Sequence, residues 1–181
     1  MPGESTPIGF NLWDSSWPRY ADGDQRRAIE DYLWERFMVP AEALEGFLVF
    51  QRGATFYFLA RESGEASDVT RTLKVVSVGL PAIRVVGRQF KPTSSLLRIL
   101  SPWIKKNRVK LTQSQALELL SKGSISFPAG EHEKGYVLVE TEHLVLGCGL
   151  LQKNVLRSQI PTSGASLSES AQVPALGKTI S

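Results

Sequence analysis

Between residues 22 and 37 the apolar side chains recur every four positions, with Ile29, Leu33 and Phe37 on one face and Tyr32 and Trp34 beside it. That spacing predicts an amphipathic helix. Asp22 and Gln25 stand at capping-box spacing at its start, and Pro40 is expected to stop it. A short acidic turn or helix over 40–45 leads to two β-like runs, 47–51 and 55–61, with Gly53 between them, the pattern of a hairpin. The loop 62–68 is small and polar. A strand is expected over 72–78, ended by Gly79, and a shorter one over 83–86. One helix on an antiparallel sheet is the economical arrangement for this stretch.

The pattern then starts again. Thr93 or Ser94 can cap a helix carrying Leu96, Leu97, Leu100 and Ile104, which Pro102 must kink or restart. Residues 108–111 alternate as a short strand. Thr112 caps a helix with Leu117, Leu119 and Leu120, and Gly123 occupies the usual position just past its end. Short strands follow at 124–127, 136–140, 144–150 and 155–160, the second and third joined by Thr141-Glu142-His143. Many short strands around a short helix suggest a small closed barrel. The fold class expected is α+β. An extension over 1–21 precedes an α/β unit over 22–92, a barrel-like unit spans 93–161, and a flexible tail over 162–181 is mostly Ser, Ala, Gly, Thr and Pro. No internal repeat is visible.

Charge sharpens this division. Residues 1–70 hold twelve acidic against six basic side chains, a net −6, while residues 71–181 hold fifteen basic against six acidic, a net +9. Such polarity suggests one face that repels polyanions and another that attracts them. No apolar run approaches the ~20 residues of a membrane helix. The first ten residues lack the charged start and apolar stretch of a secretory signal, so a cytoplasmic protein without membrane contact is expected.

Catalytic candidates are few. His132 and His143 each adjoin Glu in an expected turn, without the spacing of known metal sites. The lone cysteine, Cys148, sits between Gly147 and Gly149 in an apolar strand and reads as a buried thiol rather than a nucleophile. Gly177-Lys178-Thr179 imitates the end of a phosphate-binding loop, but Gln172 stands where its first glycine belongs. Neither cofactor nor metal is expected. The remaining signal is cationic. Arg108 and Lys110 would share a strand face, Lys122 precedes Gly123, Lys134 precedes Gly135 and Tyr136, and Lys153 and Arg157 follow Gly147 and Gly149. Cations beside exposed backbone amides suit phosphates, and a tyrosine can stack a base.

Several stretches occur in a familiar order: Gly87-Arg88-Gln89-Phe90-Lys91-Pro92-Thr93-Ser94, Leu120-Ser121-Lys122-Gly123, and Lys134-Gly135-Tyr136-Val137-Leu138-Val139. Leu146-Gly147-Cys148-Gly149 and Asn154-Val155-Leu156-Arg157-Ser158-Gln159-Ile160-Pro161 complete the series. Together, over roughly residues 47–161, they resemble the RNA-binding C-terminal region of the Nop2/Sun (Fmu) rRNA cytosine-C5 methyltransferases. The layout is also similar to ribosome assembly factors that join a pre-PUA domain to a PUA domain. The resemblance implies a pre-PUA-like domain over 22–92 and a PUA-like pseudo-barrel over 93–161, gripping structured RNA such as rRNA or tRNA. Gly123, Gly135, Tyr136, Gly147, Gly149 and Arg157 stand on motif positions. It differs where an aromatic is usual at Cys148, a lysine at Leu150, and a Lys-Asn pair at Arg157-Ser158; Lys153 is a candidate replacement for the lysine missing at 150. The methyltransferase half, with its Gly-rich cofactor loop and two motif cysteines, has no counterpart in this sequence. The function expected is therefore a non-catalytic RNA-binding protein in RNA modification or ribosome assembly, with ribosomal or modification proteins as further partners. The alternative is a protein-interaction module of a ribosome-associated complex that has lost direct RNA binding.

Overall fold

The computed structural model describes residues 19–61, 79–128, 130 and 132–161. The strand expected over 72–78, the loop before it and the tail after residue 161 lie outside the described residues.

Helix α1, Gly23–Phe37, begins as its sequence dictates. The Asp22 carboxylate accepts the Gln25 N–H at 2.8 Å, and the Gln25 side chain accepts the Asp22 N–H at 3.1 Å. Ile29, Leu33 and Phe37 are fully buried. The helix ends before Pro40 acts, because Met38 turns left-handed with φ of +53°. Pro40 instead leads into a 3₁₀ turn at Ala41–Leu44.

Five strands form the first sheet in the order β1-β2-β3-β4-β5, every neighbour antiparallel. These are β1 Arg19–Tyr20, β2 Phe47–Arg52, β3 Thr55–Ala60, β4 Leu80–Val86 and β5 Gln89–Pro92. The hairpin of β2 and β3 is the one the sequence predicts. Strand β5 is not predicted: no strand is expected after 83–86 in this unit, yet residues 89–92 fold back on β4, Val86 opposite Gln89. Gly87, with φ of +61°, opens that two-residue turn, where a hairpin favours glycine. Arg88 is the other turn residue.

Helix α2, Ser94–Leu100, is capped by Thr93, whose hydroxyl accepts the Leu96 N–H at 3.1 Å. It ends before Pro102, so Ile104 is buried from the following turn and not from the helix. Its Leu96, Leu97 and Leu100 pack between the first sheet and the second, in a core that includes Phe37, Phe56 and Ile83 together with Leu138 and Cys148.

The second sheet runs β6-β8-β9-β10-β7. Its strands are β6 Arg108–Lys110, β7 Ser124–Ser126, β8 Gly135–Glu140, β9 Val145–Gln152 and β10 Val155–Ser158. β6 lies parallel to β8 and the other pairs are antiparallel. The sheet curls into a half-barrel with β6 and β7 at its two ends, where the sequence suggested closure. Helix α3, Gln113–Lys122, has its own capping box (Thr112 with Gln115) and ends at a left-handed Gly123. Ala116 and Leu119 face the second core with Val137, Val139, Leu151 and Leu156. Leu117 and Leu120, read as part of its apolar face, are exposed. β8 is thus buried on both sides, Val137 and Val139 in one core and Leu138 in the other. Tyr136, at the start of β8, packs against the first core and borders the groove described next.

Candidate nucleic-acid interface

A groove of about 510 Å³ runs where α1, the β4–β5 turn and the second sheet meet. Lys134, Gly135 and Tyr136 form one wall, Arg88, Gln89 and Phe90 another, and Tyr32 and Arg36 of α1 join them. Leu150 and Gln152 extend the surface along β9.

The wall at Lys134 is held by a polar network. Arg36 donates from Nε to the Tyr136 carbonyl at 2.6 Å and from Nη2 to the Glu133 carbonyl at 2.9 Å, and its Nη1 reaches the Glu133 carboxylate at 3.1 Å. The guanidinium can lie there because residue 135 is glycine: a Cβ would stand 3.2 Å from it, on a backbone with φ of +125°. Lys106 pairs with the same carboxylate at 2.6 Å. Asn107 donates to the Arg36 carbonyl at 2.7 Å and accepts the Glu133 N–H at 3.1 Å. The hydrogen bond from Lys106, followed by that from Asn107, holds the Glu133 carboxyl below its ordinary pKa. Arg36 is therefore committed to building the wall.

Arg88 and Lys134 are different. Both are exposed, and neither makes an ion pair or hydrogen bond among the described residues. Arg157 is also exposed and lies on the same sheet face, since it is opposite Leu150 and Leu150 is opposite Tyr136. Two strand spacings put it about 10 Å from Tyr136 across the sheet. Lys153 stands at the tip of the β9–β10 turn, left-handed with φ of +48°, directly after Gln152.

The other residues singled out from the sequence go elsewhere. Arg108 and Lys110 do share a strand face, but Arg108 is spent inside the protein. Its Nε donates to Glu140 at 3.0 Å, its Nη2 pairs with the same carboxylate, and its Nη1 donates to the Ser101 and Ile104 carbonyls at 2.7 and 2.8 Å. Lys110 is exposed opposite Glu140, four residues and about 13 Å along β8 from Tyr136. Lys122 pairs with Glu118 at 2.8 Å, and the Gly123 carbonyl accepts the Ser158 N–H at 2.8 Å, near the β7 margin. Gly147 and Gly149 are buried. A Cβ at Gly147 would meet Ser94 at 2.6 Å, and one at Gly149 would meet Val139 at 2.6 Å, so close packing explains both. Leu150, where the resemblance places a lysine, lines the groove. Arg88 and Lys134 supply cations there, with Lys153 at its margin.

Reading the sequence missed Tyr32, Arg36, Arg88, Gln89 and Phe90 as site residues. The stretch 87–94, which holds Arg88, Gln89 and Phe90, carried a signal, being part of the motif series, but its place beside Tyr136 depends on the unpredicted strand β5; Tyr32 and Arg36 belong to α1.

Cys148 is fully buried, and its N–H donates to the Ser94 hydroxyl at 3.0 Å. Burial pushes its thiol up to about 12, keeping it protonated and inert near neutral pH. His143 is exposed, and His132 lies beside Phe127. Among the described residues no three His, Cys, Asp or Glu side chains converge as a metal site would require. No described helix is long and apolar enough to cross a membrane.

The second sheet curls around one short helix into a small half-barrel, with the cationic groove beside it. Residues 106–163 match the family model described as the methyltransferase RsmF PUA domain. Over this stretch the chain is similar to the PUA domain of the Sun/Fmu family. A PUA domain suggests RNA as partner. No curated protein matches the chain.

Proposed function

We propose that the chain is a non-catalytic, cytoplasmic RNA-binding protein acting in rRNA or tRNA modification or in ribosome assembly, without a cofactor. The observation that carries this reading is the pair of uncommitted cations, Arg88 and Lys134, beside Tyr136 on a PUA-related sheet. Arg157 extends the positive surface along the same sheet face, and Lys153 is exposed in the turn that follows Gln152. Cations track phosphates, while an aromatic ring accepts a base face of any sequence.

The test is the affinity for a folded RNA as salt is raised. If about four phosphates are neutralised, log K should fall with log salt at a slope of roughly −3 to −4. The triple change Lys134→Glu, Lys153→Glu and Arg157→Glu should abolish binding, while Lys110→Glu should leave it within a few-fold. An unchanged affinity in the triple variant would end this assignment.

The second reading, a protein-interaction module, has its own observation: Leu117 is 59% exposed on α3 and Leu120 lies one turn on. Partners that survive complete RNA digestion, and that Leu117→Glu releases, would favour it.

A further inference from the structure

We propose that the groove holds one unpaired nucleotide of an RNA strand, its base against the Tyr136 ring and its phosphate between Arg88 and Lys134. This rests on the RNA-binding reading and adds two things to it: the state of the RNA recognised, and a contribution from the first sheet.

Size comes first. At about 510 Å³ the groove falls within the range of roughly 300–1,000 Å³ typical of small-molecule pockets. That is room for a nucleotide but not for a stretch of duplex, whose bases are stacked inward and offer no face to a tyrosine. The lining is also of mixed character, as a nucleotide requires. Phe90 and Leu150 are apolar, and Tyr136 is a half-buried ring. Exposed Gln89 and Gln152 bring amides that both donate and accept, which suits the edge of a base.

Deeper in, the buried hydroxyl of Tyr32 meets no hydrogen-bond partner among the described residues. Burial also drives its pKa up, so it stays a neutral O–H able to donate. A buried hydroxyl without a partner costs stability unless something bound there satisfies it. The two cations come from different sheets, Arg88 from the β4–β5 turn and Lys134 from the segment entering β8. Neither sheet alone builds this site.

The experiment compares a labelled single-stranded oligoribonucleotide with a blunt RNA duplex of the same sequence, by fluorescence anisotropy on the full chain. Wild type should prefer the single strand by tenfold or more, and UMP should displace it at concentrations where inorganic phosphate does not. Arg88→Glu, on an exposed turn where the fold is indifferent to it, and Tyr136→Leu should each lower single-strand affinity about tenfold, in keeping with the loss of a stacked base or a phosphate contact. Duplex affinity should fall by a clearly smaller factor than single-strand affinity in both variants. A 4-thiouridine strand should crosslink to the peptide bearing Tyr136. Equal losses for strand and duplex, no loss in Arg88→Glu, or displacement by phosphate as good as by UMP would each overturn the proposal while leaving RNA binding standing. A wild-type chain that binds no RNA of either kind would instead remove the reading beneath it.

Discussion

Glycine does two different jobs in this chain, and only the neighbours distinguish them. Gly147 combines a φ of +135° with a Cβ position 2.6 Å from Ser94, the residue whose hydroxyl holds the Cys148 N–H. Gly123 also has a positive φ, +76°, but open space around it. Gly147→Ala should therefore lose about 2–4 kcal/mol, from backbone strain plus overpacking against α2, whereas Gly123→Ala should lose about 1 kcal/mol. Urea denaturation of both variants checks the difference. Equal losses would mean that α2 yields to the added methyl. The sequence could not separate these cases. Gly123 was legible as a helix end from the residues beside it, but the pressure on Gly147 comes from a serine 53 positions earlier.

Among the elements, those set by local pattern were readable: α1 and α3 with their capping boxes, the β2–β3 hairpin, and the β8–β9 pair. Elements set by distant partners were not. β5 has four residues and no strong alternation, and it exists because β4 offers an open edge. The half-barrel's open ends could not be seen from strand counting either. The same limit applied to the site. Arg108 and Lys110 look equivalent in sequence and share a strand face, yet Arg108 is held by Glu140 and two backbone carbonyls while Lys110 stands in water. Glu140, 4% exposed, depends on Arg108 for both of its oxygens. Removing Arg108 would strand that carboxylate, so Arg108→Ala should destabilise the fold by about 3 kcal/mol. Lys110→Ala should stay within about 0.5 kcal/mol. Chemical denaturation measures both, and a harmless Arg108→Ala would refute the assigned structural role. Any RNA-binding defect in an Arg108 variant is accordingly expected to follow from lost folding.

At the scale of the whole molecule, the groove draws on both the acidic and the basic part of the sequence. Arg36 comes from the first and Arg88 and Lys134 from the second, because α2 docks the two sheets onto a common core. Leu97 is fully buried in that shared layer. Leu97→Ala should cost about 2–5 kcal/mol and should be felt on both sides. Native-state hydrogen exchange gives the measurement: the slowest amides of β3 and of β8 should share one opening free energy, and both should fall together in the variant. A fall confined to one sheet would show that the halves unfold separately.

The position of α2 has a practical consequence for anyone who would cut the PUA-like module out of its chain. The stretch matched at 106–163 starts just after this helix. Trimmed there, the fragment would lose the cover over Leu138 and Cys148 and present a greasy sheet surface to water. Such a piece is primed to self-associate, so its boundaries are better drawn by what lies against the strands than by where the similarity begins.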